Sequence, residues 1–181
     1  MPGKAKTSEI LEASSMFDII TSQDFLSKLE AEYADFKAQP DSARHALNCI
    51  MTAYHLHEWV WGDWLKTDYE AWQRIGGIHN KNSFKMRLGE LWPGMTAAGE
   101  LTNGMKHFGK RNVETERIEG YGSGPYGVGP FGRPYLLIDH GAENTPRWQT
   151  ADQLLDHAVI FWRSFFDLHC ADTRIRDPHP V

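Results

Sequence analysis

Histidine, glutamate and asparagine side chains recur on two predicted helices at spacings that place them on shared helix faces. His55 and Glu58 are three residues apart, and Glu100, Asn103 and His107 follow at intervals of three and four. Side chains at these intervals are neighbours on a helix, so they can meet one metal ion or one substrate. Two carboxylates and two imidazoles are the ligands of carboxylate–histidine metal sites in helical bundles. We therefore consider His55, Glu58, Glu100 and His107 as ligands of a divalent metal.

The alternative to a metal site is that these spacings arise by chance. Nine histidines in 181 residues produce such pairs without any function. His55 would then be a buried or half-buried histidine that is hydrogen-bonded to Asn48, Thr52 or a backbone carbonyl. No other cofactor is predicted.

The segment 102–107 suggests a different chemistry. It resembles the signature of HEPN domains (higher eukaryotes and prokaryotes nucleotide-binding), helical bundles that include many prokaryotic RNases and toxin components. Asn103 and His107 match the asparagine and histidine of that signature, on a predicted helix. Thr102 stands where the family has an arginine, which acts with the histidine on the scissile phosphate.

The resemblance implies a site built from His107, Asn103, Lys106 and His55. In a catalytic version, His107 would be the general acid or base, and Lys106 would hold the phosphate. Threonine in place of the arginine cannot stabilise the charge that develops on the phosphate, which argues against nuclease activity. Both the metal site and the HEPN-like site require His55 and His107 to approach each other.

Three functions are therefore weighed, and whether the protein is an enzyme stays open. The first is a HEPN-like accessory or RNA-interacting protein of a bacterial RNA-processing, toxin–antitoxin or defence system. The second is a helical-bundle metalloprotein, and the third is a non-catalytic protein-interaction module. An acidic partner such as RNA would use a basic strip that contains Lys81, Lys85, Arg87, Lys106, Lys110 and Arg111. The favoured alternative is that these residues form a solvated helix face.

The stretch 120–132, GYGSGPYGVGPFG, contains the pattern G-x-G-x-x-G twice. A dinucleotide-binding loop must open a helix, whereas a strand pattern follows here, so nucleotide binding is disfavoured. We expect a flexible or polyproline-like hairpin tip. Its interleaved aromatic residues, Tyr121, Tyr126 and Phe131, could contact a partner protein or RNA.

The predicted fold is mainly α: an up-and-down bundle of about four main helices, with a β-hairpin over about 112–140 inserted before the last helix. Helix starts are expected at Thr21 or Ser22, at Asp41 or Ser42, and at Thr150. The central helix should run from Asp41 to Lys66, with Cys49, Ala53, Leu56 and Val60 facing the core.

Length and composition indicate one domain over 16–171, a disordered N-terminus over 1–15 and a loose tail over 172–181. No apolar run near the N-terminus is long enough for a signal peptide, and none approaches the ~20 residues of a membrane span, so we expect a cytoplasmic protein without membrane partners. Its two cysteines are expected to be reduced core thiols. An exposed cluster of Trp59, Trp61 and Trp64 would indicate a homodimer.

Overall fold

The structure is a computed structural model and describes residues 17–106, 113–120 and 122–170. This part of the chain forms six α-helices, one 3-10 helix and a three-stranded antiparallel sheet. The elements in chain order are α1 (Ser22–Ala38), α2 (Ala43–Asp63), the 3-10 helix (Leu65–Thr67), α3 (Tyr69–Ile75), α4 (Lys81–Leu91), α5 (Gly94–Lys106), β1 (Glu114–Ile118), β2 (Tyr135–Asp139), β3 (Trp148–Thr150) and α6 (Ala151–His169). The prediction of a mainly helical protein with some antiparallel β-structure is confirmed.

Helix starts follow from short polar side chains that satisfy the first free backbone N–H groups. The Thr21 side chain accepts a hydrogen bond from the Asp24 backbone N–H, and the Asp24 carboxylate accepts one from the Thr21 backbone N–H. Ser42 caps α2, and Thr150 caps α6 by accepting from the Gln153 N–H. All three starts agree with the sequence prediction.

The core is built around α2, which contacts α1, α5 and α6. Its predicted apolar face is fully buried, and it comprises Cys49, Ala53, Leu56 and Val60. Trp162 of α6 is also fully buried, and its indole N–H donates to the Ala53 carbonyl oxygen at 2.9 Å. Helix α2 ends at Asp63 rather than at Lys66, because the chain turns there into the 3-10 helix.

Both cysteines are buried and free, as predicted. Burial raises the pKa of the Cys49 thiol to about 12. The thiol is therefore protonated at neutral pH and unreactive.

The side chains on the two faces of the sheet pack in two different hydrophobic clusters. Strand β2 pairs with β1 on one side and with β3 on the other, and Tyr135 lies opposite Ile118. Because side chains alternate along a strand, Ile138 enters the main core whereas Tyr135 and Leu137 point to the opposite face. There they form a second, smaller cluster with Ile118, Val128 and Trp148.

The structure does not test several predictions about the termini, the domain boundaries and the location of the protein. Residues 1–15 and 172–181, predicted to be disordered or loose, lie outside the described residues. The single domain over 16–171 and the cytoplasmic location stay predictions. None of the described helices has the length and apolar character that crossing a bilayer requires.

Candidate functional site

His55 and Glu58 are neighbours on the surface of α2, as their spacing predicts. His55 Nδ1 lies 3.7 Å from one carboxylate oxygen of Glu58. The other carboxylate oxygen accepts a hydrogen bond from Lys81 Nζ of α4 at 2.8 Å. This bond lowers the pKa of Glu58. Glu58 is thus held by a lysine, which competes with any metal ion for the same oxygen.

The four predicted metal ligands are only partly described. His55, Glu58 and Glu100 are described, and among all described residues no group of three or more histidine, cysteine or acidic side chains could hold a metal ion. His107 lies outside the described residues. The four-residue site therefore stays a prediction, and so does the approach of His55 to His107.

The HEPN-like segment begins inside the described part of α5. Thr102 is 0% exposed, and its hydroxyl has no hydrogen-bond partner among the described residues. Asn103, the next residue, is exposed. Lys106 is the last residue of α5, but its side chain is not described. The position that the HEPN signature would give to its arginine thus faces the protein interior.

The described half of the basic strip is engaged within the chain. Lys81 binds Glu58, and Lys85 Nζ donates to the Tyr54 hydroxyl at 2.8 Å. Arg87 donates to the Ile75 carbonyl oxygen at 3.0 Å and to the Glu90 carboxylate at 2.8 Å. Lys110 and Arg111 lie outside the described residues. The two carboxylates, on Glu58 and Glu90, offset the charges of Lys81 and Arg87, so α4 offers less positive charge to a polyanion.

The tryptophans expected to mark a dimer are half-buried and occupied by contacts within the chain. Trp59 stacks on Phe25 with ring centroids 4.6 Å apart, and Trp61 stacks on Trp72 at 5.7 Å. Trp64 also packs against the core. They do not form the exposed cluster on which the homodimer hypothesis depended.

The glycine-rich loop, residues 120–132, folds back over the outer face of the sheet. The Tyr135 hydroxyl donates to the Val128 carbonyl oxygen at 2.9 Å, and Val128 packs in the second cluster. Gly129 has φ +77°, and a Cβ atom there would lie 2.6 Å from the Tyr135 ring. Two turns lie within the loop: the Ser123 backbone N–H donates to the Gly120 oxygen, and the Val128 backbone N–H donates to the Pro125 oxygen. We expected a flexible or polyproline-like tip. In the structure these contacts instead give the loop a specific conformation.

Two aromatic side chains of the glycine-rich loop point to solvent. Tyr126 is fully exposed and Phe131 is 82% exposed. Tyr121 is not described. Sequence reasoning identified these residues as contact candidates from their alternation with glycine, but it missed Tyr135, which holds the loop in place.

A second candidate site is a cleft of about 750 Å³ that sequence reasoning missed. It lies between the start of α5, the loop that joins β2 to β3, and α6. Its polar lining includes Glu100, His140, Glu143, Gln149 and His157. These residues come from separate elements, so no local spacing in the sequence could bring them together.

Comparisons of the chain with protein-family models, with curated proteins and with solved structures find no match.

Proposed function

We propose that this protein is a non-catalytic protein-interaction module, and that its glycine-rich loop is the contact surface. The observation that carries the proposal is the fully exposed Tyr126 on a loop fixed by Tyr135. Large aromatic side chains dominate the binding energy of protein interfaces, because they bury much apolar surface with few rotatable bonds.

The fixed loop conformation supports this function. A flexible loop loses conformational entropy when it binds, and that loss weakens the complex. Here the Tyr135–Val128 hydrogen bond and the close contact of Gly129 with the Tyr135 ring order the loop before a partner arrives. The entropy cost of ordering the loop is therefore met when the protein folds. Less of the free energy of contact with the partner is then lost to ordering.

The charges beside the loop indicate the partner's chemistry. Glu114 and Glu116 are exposed on β1, the edge strand next to the loop, and the whole chain carries a net charge of −5. Arg117, the one basic residue of β1, is paired with Asp41 at 2.8 Å. An apolar groove rimmed by basic residues on a partner protein would complement this surface, whereas the RNA backbone would be repelled.

A photo-crosslinking amino acid at position 126 tests the proposal in cells. The same amino acid at position 86 is the control, because Met86 is 71% exposed on α4, away from the loop. We expect a discrete protein adduct from position 126 only. The purified adduct partner should then bind the Tyr126→Ser/Phe131→Ser variant at least about tenfold more weakly than wild type.

Met86→Ser should bind that partner as wild type does. Equal binding by the loop variant and by Met86→Ser would overturn the proposal. If position 126 crosslinks RNA instead, and binding falls steeply with salt, the HEPN-like alternative gains support.

The HEPN-like alternative takes the four longest helices, α1, α2, α5 and α6, as an up-and-down bundle. Exposed Asn103 on α5 favours it, whereas buried Thr102 does not. RNA binding and cleavage by wild type and His107→Ala would test it directly.

The metalloprotein alternative is tested by elemental analysis of untagged protein, repeated on His55→Ala and His107→Ala. Stoichiometric metal that both substitutions remove would establish that site.

A further inference from the structure

Strand β1 is an edge of the sheet, and most of its length is open to solvent. Among the described residues only β2 pairs with β1, so every second backbone N–H and C=O of β1 points away from the sheet. Four of its five residues, from Glu114 to Arg117, are exposed. An exposed edge with unpaired backbone groups can accept another extended chain as an additional strand.

A groove of about 320 Å³ lies over the outer face of β1, the face that also carries the second cluster. Because side chains alternate along a strand, Glu114 and Glu116 point to this face, and Glu116 lies opposite Leu137 of β2. Ser123 and Pro125 of the glycine-rich loop also line the groove. The groove therefore connects the contact surface proposed above with the edge of the sheet.

The groove carries more negative than positive charge. Glu114, Glu116 and Asp139 line it, whereas no lysine or arginine lines it in the described part of the chain. Arg147, which lies beside it, donates to Asp139 at 2.8 Å and has a weaker electrostatic interaction with Glu114. Three carboxylates thus face one guanidinium group, so the groove attracts basic side chains.

The charges of β1 also oppose pairing between two copies of this chain. Antiparallel pairing of two β1 strands centred on Thr115, Glu116 or Arg117 would place two like charges directly opposite each other. Such pairs destabilise neighbouring strands, whereas lysine or arginine opposite a glutamate stabilises them. The edge therefore disfavours a second copy and favours a basic strand.

We infer that β1 accepts an extended, basic segment of the partner protein as a fourth strand, with lysine or arginine side chains beside Glu114 and Glu116. The added strand would lie ~4.8 Å from β1. From there, long basic side chains reach over β1, with their aliphatic part on Leu137 and their charge at the glutamates. This inference rests on the proposed function, because it names the part of the partner that the surface binds.

Seven-residue peptides that alternate valine with lysine, or valine with glutamate, test the charge preference. Titration of the full-length protein, followed by the backbone amide signals of β1 in NMR spectra, gives each dissociation constant. We expect a constant of about 1 mM for the lysine peptide, and binding at least about tenfold weaker for the glutamate peptide.

N-methylated lysine peptides test the backbone pairing. One peptide carries methyl groups on its lysine amides and the other on its valine amides, so each lacks the N–H groups of one strand edge. One of the two should bind at least about tenfold more weakly than the unmethylated peptide, because the N–H groups that face β1 are lost. The other should bind about as well as the unmethylated peptide.

Charge reversal on β1 locates the binding. Glu114→Lys/Glu116→Lys should bind the glutamate peptide more tightly than the lysine peptide. Glu70→Lys/Glu143→Lys is the matched control, because both residues are exposed glutamates outside the groove, and it should keep the preference of wild type.

Four results would each overturn the inference. They are no binding of the lysine peptide at ten times the expected constant, equal binding of the lysine and glutamate peptides, equal binding of the two N-methylated peptides, and an unchanged preference in Glu114→Lys/Glu116→Lys.

The loop variant separates this inference from the proposed function. Tyr126→Ser/Phe131→Ser should bind the lysine peptide as wild type does, because strand pairing at β1 does not use these rings. A protein adduct at position 126 without peptide binding would overturn the added strand alone. Peptide binding without an adduct at position 126 would overturn the glycine-rich loop as the contact surface and leave the added strand in place.

Discussion

The Tyr135 hydroxyl donates a hydrogen bond to the Val128 carbonyl oxygen at 2.9 Å, seven residues earlier in the chain. Tyr135 is nearly fully buried, although it lies on the face of the sheet that points away from the helices. The glycine-rich loop is what buries it. One tyrosine therefore completes the second cluster and also orders the loop that presents Tyr126.

Gly129 and Gly127 allow a direct test of this packing. Both have positive φ, +77° and +76°, so replacement by alanine strains the backbone by a similar ~1 kcal/mol in each. Only at Gly129 would the new methyl group meet the Tyr135 ring, at 2.6 Å; at Gly127 it meets nothing within 4 Å. Gly129→Ala should therefore lose about 1–3 kcal/mol more free energy of unfolding than Gly127→Ala. Urea denaturation measures both, and equal losses would show that the loop does not pack on Tyr135.

Thr102 decides how far the HEPN resemblance extends. Its hydroxyl is buried without a described partner, so Thr102→Val should leave the free energy of unfolding unchanged or raise it by about 1 kcal/mol. Thr102→Arg, which introduces the arginine of the HEPN signature, would bury a charge and should cost more than about 3 kcal/mol. Asn103→Arg is the control at the exposed neighbour and should be tolerated. A stable Thr102→Arg variant that cleaves RNA would contradict the burial of this position.

Local features of the sequence predicted the helices, because helix starts and apolar faces depend on nearby residues. Thr21 and Thr150 cap their helices through residues three positions away, and the stripe from Cys49 to Val60 is periodic. Strand β3 has three residues and is too short to show a pattern.

Contacts between distant segments were not predictable in the same way. The glycine- and proline-rich composition of 120–132 led us to expect a flexible or polyproline-like tip, and only the position of Tyr135 in space shows that Gly129 permits close packing. Thr102 and Asn103 differ completely in exposure although they are adjacent, because α5 turns one toward the core. The cleft combines residues from Trp92 to His157 and leaves no local signal.

Asp139, the last residue of β2, is bonded to Arg147 and Gly141 of the β2–β3 loop, and the pKa of its carboxyl group reports on these contacts. Hydrogen bonds from Arg147, Gly141 and Trp148 lower the pKa of the Asp139 carboxyl to about 2. A carbon-detected NMR titration should give a midpoint near that value in wild type. In Arg147→Gln the pKa should rise toward the ordinary aspartate range, because the largest of these contributions is removed. Arg133→Gln, which removes an exposed arginine bonded to Asp152 instead, should leave the Asp139 midpoint in place. An unchanged midpoint in Arg147→Gln would show that the ion pair does not form in solution.

His57 should make the protein less stable in mild acid. Its ring is buried, and burial lowers its pKa below the ordinary value, despite the hydrogen bond that Nδ1 donates to the Tyr54 carbonyl oxygen. Above the unfolded-state pKa of ~6.5, neither the folded nor the unfolded chain protonates this ring, so it adds no pH dependence. Below that pH the unfolded chain binds the proton first. The free energy of unfolding then falls, by at most about 1.4 kcal/mol per pH unit, until the lower folded-state pKa is reached.

Urea denaturation of wild type and His57→Gln at pH 7 and pH 5 measures this contribution. The variant should lose less stability between the two pH values, since glutamine does not titrate. His169, whose pKa burial also lowers, remains in both proteins and cancels in the comparison. Ile50→Val is the control, because it removes a buried methylene from the same helix and should lower stability equally at both pH values. Identical pH dependence in wild type and His57→Gln would mean that His57 is protonated as readily in the folded protein as in the unfolded chain, contrary to the burial that lowers its pKa.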